Sequence, residues 1–275
     1  MTVIAVCQLA LSVGDVAANR AAAAAAVAEA AGQGAELVVL PELCDTGYVF
    51  SGAPEARALA TSAANSPTLR EWCTFSGQYA TAIAAGFCEL GDDGLLYNSA
   101  ALISGGEVRA VYRKAHLWDA EKLVFTPGDG PPAVVDLPFG RAGLMVCYDL
   151  EFPEWVRLAA LGGADLIAAP VNWPAMPVPA GERPSDVVRV QAEASMNRLF
   201  FAVADRCRAE RGVSWVGGTV IVGPDGYPLA GPVTADRPAV LTAPCDLAQA
   251  RDKRVSTHND VFTDRRPALY GPVAE

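Results

Sequence analysis

Short apolar runs and polar punctuation alternate along the whole chain. Val3–Leu9 and Leu37–Leu40 are almost unbroken apolar runs, as expected of strands buried on both faces. Between them, Asp15–Ala31 is rich in strong helix formers and closes on Gly32 and Gly34, which predicts a helix with a C-terminal stop. The alanine run Ala21–Ala26 belongs to this helix, because Arg20, Val27 and Glu29 interrupt it at helical spacing. A β-α-β unit results. Ser66-Pro67 supplies the N-cap and first-turn residues of a second helix reaching Tyr79. Thr81–Cys88, Leu96–Ile103 and Val108–Tyr112 then read as strands, separated by turns at Asp92-Asp93-Gly94 and Gly105-Gly106. Connections this short predict an antiparallel meander.

The second half repeats the alternation. Strands are predicted at Val134–Leu137 and Ala142–Cys147, then a helix over Pro153–Leu161 that stops at Gly162-Gly163. Leu166–Ala169 reads as a buried strand and Ser185–Phe200 as a helix. Phe201–Arg206, Trp215–Val222 and Val240–Asp246 complete the strands, with a hairpin turn at Gly223-Pro224-Asp225-Gly226. Strands outnumber helices, so each sheet would expose an apolar face unless two sheets packed together. The expected fold class is therefore α/β: a four-layer α-β-β-α sandwich of two mixed sheets flanked by helices. No linker or internal repeat divides residues 1–275, so a single domain is expected.

Composition sharpens this picture. Hydrophobic residues make up 52% of the chain and charged residues 19%, enough for a large core. The net charge of -10 argues against a nucleic-acid partner, which would favour a basic face. No run approaches the roughly 20 apolar residues of a membrane span. The opening stretch "MTVIAVCQLALSVGD" has neither a basic leader nor a small-residue cleavage site and reads as a first strand. Seven cysteines, an odd number without CxxC spacing, suit reduced thiols and a cytoplasmic setting.

Three strand ends carry the candidate chemistry. "LVVLPELCDTGY" drives an apolar strand into Glu42, "VYRK" ends at Lys114, and "GLMVCYD" ends at Cys147. A carboxylate, an ammonium and a thiol at such ends are the parts of a nucleophilic site. The thiol attacks a carbonyl-type carbon, and the carboxylate takes its proton and later activates water. The ammonium stabilises the oxyanion, with help from the backbone N–H of Tyr148. A Cys–His pair is the competing arrangement, but the two histidines, His116 and His258, stand alone and read as structural or surface groups. They are also too few for a zinc site, and phosphate- and dinucleotide-binding motifs are missing, so no metal or cofactor is expected.

Pro41-Glu42, Tyr112-Arg113-Lys114 and Cys147-Tyr148-Asp149 with Phe152-Pro153-Glu154 resemble, in order and spacing, the signature of the nitrilase superfamily of carbon–nitrogen hydrolases. The resemblance implies the α-β-β-α sandwich and a Glu-Lys-Cys triad acting on non-peptide C–N bonds, with Glu42 as base, Lys114 as oxyanion stabiliser and Cys147 as nucleophile. It also implies a second carboxylate, Glu121 of "AEKLVFTPGD", positioning Lys114 and the substrate. Asn172-Trp173-Pro174 matches a segment that often lines the family's pocket, and Tyr48 is expected near Glu42. The family's dimers imply a homodimer or larger homo-oligomer.

Nitrile-cleaving members typically carry Trp-Glu after the cysteine, whereas this chain has Tyr148-Asp149, which resembles the amidase and carbamoyl-hydrolase branches. A small amide is the expected substrate. N-carbamoyl amine or ω-amide hydrolysis is the alternative, for which Arg183, Arg189 or Arg206 would have to receive a carboxylate. A non-catalytic binding role for the same fold is a reading from another class, against which the intact Glu-Lys-Cys set argues.

Overall fold

The computed structural model describes residues 1–274. Its first half runs β1 (Thr2–Ala10), α1 (Val16–Gly32), β2 (Leu37–Val39), α2 (Ala53–Leu59), α3 (Pro67–Tyr79), β3 (Ala82–Leu90), β4 (Leu96–Ser104) and β5 (Glu107–Arg113). The second half runs β6 (Ala133–Leu137), β7 (Gly140–Leu144), α4 (Pro153–Leu161), β8 (Leu166–Pro170), α5 (Ser185–Asn197), β9 (Phe200–Ala204), β10 (Arg206–Cys207), β11 (Val220–Val222), β12 (Pro228–Ala230) and β13 (Ala239–Cys245). Helix α1 starts where the Asp15 side chain accepts from Ala18 N–H, and α3 where Ser66 accepts from Leu69 N–H ahead of Pro67.

The strands form two mixed sheets. One has the order β10-β1-β2-β3-β4-β5, with β13 also paired to β1; the other runs β12-β11-β9-β8-β7-β6. Successive side chains of a strand point to opposite faces, and here both faces are covered. Ile4, Val6, Leu37, Val39, Ala82 and Ala84 face the second sheet, whereas Ala5, Cys7, Val38, Ile83 and Phe87 pack with Ala23, Val27, Leu69 and Trp72 of α1 and α3. Val156, Ala159, Val187 and Val190 of α4 and α5 pack into the core that holds the second sheet. The architecture is the expected α-β-β-α sandwich.

Four predicted elements differ from those observed, the strand expected over Phe201–Arg206 being divided into β9 and β10 in different sheets. The strand expected over Ala142–Cys147 stops at Leu144, because Cys147 takes φ +48° and opens a short 3₁₀ turn through Glu151. The helix expected to reach Phe200 ends at Asn197, where Arg198 adopts a left-handed conformation that turns the chain into β9. Of the strand expected over Trp215–Val222 only Val220–Val222 forms. Gly217, at φ +63°, breaks the extended course, and Trp215 and Val216 pair instead with Pro174 and Trp173. Helix α2 was not anticipated.

Candidate active site

Glu42 and Lys114 come from the first sheet and Cys147 from the second, so the site lies where the two sheets meet. Strand β4 is antiparallel to both β3 and β5, so β5 runs in the direction of β3 and of its parallel neighbour β2. The chain therefore emerges from β2 and β5 along one edge of the sheet. Glu42 sits in the turn after β2, followed by Leu43 at φ +46°. This turn lies directly on Gly86 of β3, where an added Cβ would come 2.5 Å from the Glu42 Cα. Only glycine admits that approach.

Lys114 directly follows β5. Its N–H donates to Asn98 O of β4 at 2.8 Å, and its own O accepts from Gly128 N–H at 2.9 Å. The side chain is fully buried. Its Nζ donates to Glu42 Oε1 at 2.8 Å and to Glu121 Oε1 at 2.7 Å. Asn98 Nδ2 adds a third donor bond, to Glu42 Oε1 at 2.7 Å, while Glu42 Oε2 has no partner among the described residues. Tyr48 OH donates to Glu121 Oε1 at 2.5 Å. A buried ammonium is thus held between two carboxylates, and one carboxylate oxygen is left for a further donor.

The electrostatics follow from this burial. Desolvation raises Glu42 to about 7, against the pull of Lys114. Burial works against a charged Lys114, but Glu121 and Glu42 outweigh it and hold its proton well above the ordinary lysine range. Burial and then the Glu42 charge push the Cys147 thiol well above its usual value, with Lys114 acting in the opposite sense. The thiol is protonated at rest, and the carboxylate is a stronger base than an exposed glutamate.

Asn172 connects nucleophile to base. Its O accepts from Cys147 Sγ at 3.8 Å, and its Nδ2 donates to Glu42 O at 2.9 Å. The Asn172 side chain, expected at the pocket, is buried against the Glu42 backbone. Trp173, expected beside it, borders a cavity. Its N–H is fixed to Asp205 Oδ1 at 3.1 Å, and its ring walls this cavity, of about 220 Å³ and shared with Trp118, Cys147, Tyr148, Met176 and Arg189. Tyr148 stands edge-on to Trp118, and its N–H falls in the first turn of the 3₁₀ segment, where such groups lack an intrahelical acceptor. Tyr48 lies on a second cavity of about 350 Å³ with Phe50, Glu121, Phe125, Val213 and Trp215.

Several supporting residues escaped the reading of the sequence. Asp149 ties the turn that carries Cys147 to the loop after Lys114. Its carboxylate accepts from Val146 N–H at 3.0 Å, His116 N–H at 3.0 Å and Tyr112 OH at 2.8 Å. His116 stacks on Phe152 and lies 2.8 Å from Asp149 Oδ1 through Nδ1. Arg206 is fully buried and paired with Glu210, and Glu210 Oε2 accepts from the backbone N–H groups of Tyr48 and Val49 at 2.9 and 2.7 Å. That pairing removes Arg206 as a receptor for a substrate carboxylate. Arg183 donates to Gln191 on the exposed surface, so among these arginines only Arg189 borders the cavity, where it pairs with Asp186 and Glu151. Polar residues inside apolar runs, Asn98 in "LYNSAAL" and Arg206 after "FFAVAD", were the signal available beforehand.

Known proteins carry the same layout. The family model for carbon–nitrogen hydrolases matches residues 3–255. A protein named nitrilase from Pyrococcus abyssi is 36% identical over 89% of this chain and 89% of its own length. An (R)-stereoselective amidase from a Pseudomonas species is 34% identical over 98% of this chain and 93% of its own. The solved amidase from Nesterenkonia sp. AN1 superposes with a TM-score of 0.83 at 30% identity, covering 98% of both chains. A glutamate-to-glutamine variant of that amidase holds the acetamide moiety of fluoroacetamide covalently on its active-site cysteine. The chain therefore belongs to the carbon–nitrogen hydrolase family, within the nitrilase superfamily, and is a carbon–nitrogen hydrolase.

Proposed function

We propose that residues 1–275 form one amidase domain that converts a small amide to carboxylate and ammonia through a thioester on Cys147. The observation that carries this reading is the buried Lys114 ammonium between Glu42 and Glu121, linked to Cys147 through Asn172. In this mechanism Glu42 Oε2 takes the thiol proton as sulfur attacks the amide carbon. The oxygen gains charge and is met by the third N–H of Lys114 and the backbone N–H of Tyr148. Glu42 returns the proton to the nitrogen, the C–N bond breaks and ammonia leaves. A water then attacks the thioester, again with Glu42 as base, and frees the acid.

Tyr148-Asp149 after the nucleophile, where nitrile-cleaving members typically carry Trp-Glu, favours an amide over a nitrile. The cavity beside Cys147, walled by Trp118, Tyr148 and Trp173, suits a small, largely apolar acyl group. Ammonia release from aliphatic amides, carbamoyl amines, ω-amides and nitriles, measured side by side, tests this. Amides should lead, and a nitrile preferred about tenfold over its amide would overturn the branch while leaving the triad. The same acyl-enzyme predicts a hydroxamate when hydroxylamine is supplied.

The apolar residues exposed on the outer helices support a homodimer: Leu158 and Leu161 of α4 are 48% and 43% exposed, Val188 and Met196 of α5 48% and 47%. A light-scattering mass of one subunit at micromolar concentration would contradict it. The seven unpaired cysteines are in keeping with a reducing, cytoplasmic setting.

A further inference from the structure

We propose that the second cavity, closed by Glu121 and Tyr48, receives the nitrogen-side substituent of a secondary amide, so that the enzyme cleaves amides of apolar primary amines and also forms them by acyl transfer. This rests on the amidase reading above, with Cys147 as the nucleophile.

An amide is asymmetric in its hydrogen bonding: its oxygen accepts and its N–H donates. The donors of the site, Lys114 Nζ and the first-turn N–H of Tyr148, take the oxygen, whereas the acceptors, Glu42 and Glu121, take the nitrogen side. A wall containing Glu121 is therefore on the leaving-group side, and the acyl group is left the space beside Cys147 that Glu121 does not border. The two cavities divide along this line. The one of about 220 Å³ includes Cys147 and Tyr148 but not Glu121, and the one of about 350 Å³ includes Glu121 and Tyr48 but not Cys147. Trp118, Pro174 and Met176 border both.

A strict primary amidase has to accommodate only ammonia on the nitrogen side. Here that side is the larger space, within the range of ligand pockets, and its walls away from Glu121 and Tyr48 are Phe50, Val124, Phe125, Val213 and Trp215. Its other acid, Asp119, is exposed. The lining fits an apolar alkyl or arylmethyl group better than a charged one. A secondary amide keeps one N–H for a carboxylate and places its substituent where the second hydrogen of a primary amide would lie. The wall is also fixed in place: Glu210 holds the Tyr48 and Val49 N–H groups, and Tyr48 stands edge-on to Trp215 with ring centroids 5.4 Å apart.

The chemistry balances without further reactants. Sulfur bonds to the carbonyl carbon, the thiol proton passes through Glu42 to nitrogen, and the C–N bond breaks to release the amine. Water completes hydrolysis. In transfer, a neutral primary amine attacks the thioester from the same cavity, its proton passes through Glu42, and the C–S bond breaks to restore the thiol.

The test compares kcat/KM for butyramide, N-butylbutyramide and N-benzylbutyramide, and analyses products when benzylamine is added during butyramide turnover. The two secondary amides should fall within about tenfold of the primary amide, and N-benzylbutyramide should accumulate in the presence of benzylamine. Val213→Trp and, separately, Val124→Trp fill the cavity and should lower the secondary-to-primary ratio by about tenfold or more. Butyramide hydrolysis with no turnover of either secondary amide, or a ratio unmoved in both variants, would overturn the assignment and leave the amidase reading standing. Absence of turnover on every amide would overturn that reading itself.

Discussion

Glu42 and Lys114 meet at 2.8 Å with neither side chain exposing any surface to solvent. A buried ion pair of this kind is weak evidence for stability, because desolvation offsets much of the attraction. The pair fixes the carboxylate in place, and it is burial, against the pull of Lys114, that makes this carboxylate basic.

A pH limb follows from Glu42. A base must be unprotonated to act, and burial raises Glu42 to about 7. kcat/KM should therefore rise with pH through about 7 and not near the 4.5 of an ordinary glutamate. Glu42→Gln should lose both acylation and deacylation at every pH. An acid limb near 4.5 in the wild type would refute the assignment.

Replacing Lys114 by alanine should abolish turnover and also destabilise the protein, because two buried carboxylates lose their counter-charge, a loss of about 3–5 kcal/mol. Lys114 lowers Glu42, so in the variant the folded-state value rises further above that of the unfolded chain. Stability of Lys114→Ala is then best below the unfolded carboxylate range and falls as pH rises through the raised folded value. Melting temperatures of variant and wild type from pH 5 to 8 should diverge with rising pH. Lys114→Arg should not restore activity, since a planar guanidinium does not replace a compact ammonium.

Cys147→Ala should remove activity, by a factor that can reach about 10⁶ when a nucleophile is lost. Retention of a tenth of activity would exclude Cys147 as the nucleophile. Its φ of +48° adds a second expectation. Alanine stays strained there while glycine does not, so Cys147→Gly should melt at or above Cys147→Ala, with strain relief of about 1–2 kcal/mol opposing glycine's entropic cost. Thermal unfolding of the two variants decides it.

Glu210 touches the site through the Tyr48 and Val49 N–H groups and through Arg206. In Glu210→Gln one of the two carboxylate oxygens becomes an NH2 donor, so either the Arg206 guanidinium or the Tyr48 and Val49 N–H groups face a donor, and Tyr48 holds Glu121 less firmly. Glu210→Gln should lower kcat by about tenfold, roughly 1.4 kcal/mol in the barrier. Tyr48→Phe, which deletes the hydroxyl alone, should give a similar loss with an unchanged melting temperature. Full activity in Tyr48→Phe would show that this hydroxyl does not position Glu121.

Much of this protein is legible in its residue pattern, because strands and helices follow from local periodicity and capping. The β-α-β opening, the meander and the hairpin at Gly223–Gly226 are read directly, and so are Glu42, Lys114 and Cys147 as polar groups closing apolar runs. Tertiary structure decided what local pattern does not encode. It put Glu42 and Lys114 of one sheet against Cys147 of the other. It turned Cys147 out of its strand through a left-handed conformation stabilised by Asp149, and it converted Trp215–Gly218 from an expected strand into a wall against Trp173. Asn98, Asp205 and the Arg206–Glu210 pair matter through partners far away in sequence. Residue periodicity reports which face of an element is buried, and only the packing of distant elements determines which polar group meets which once it is there.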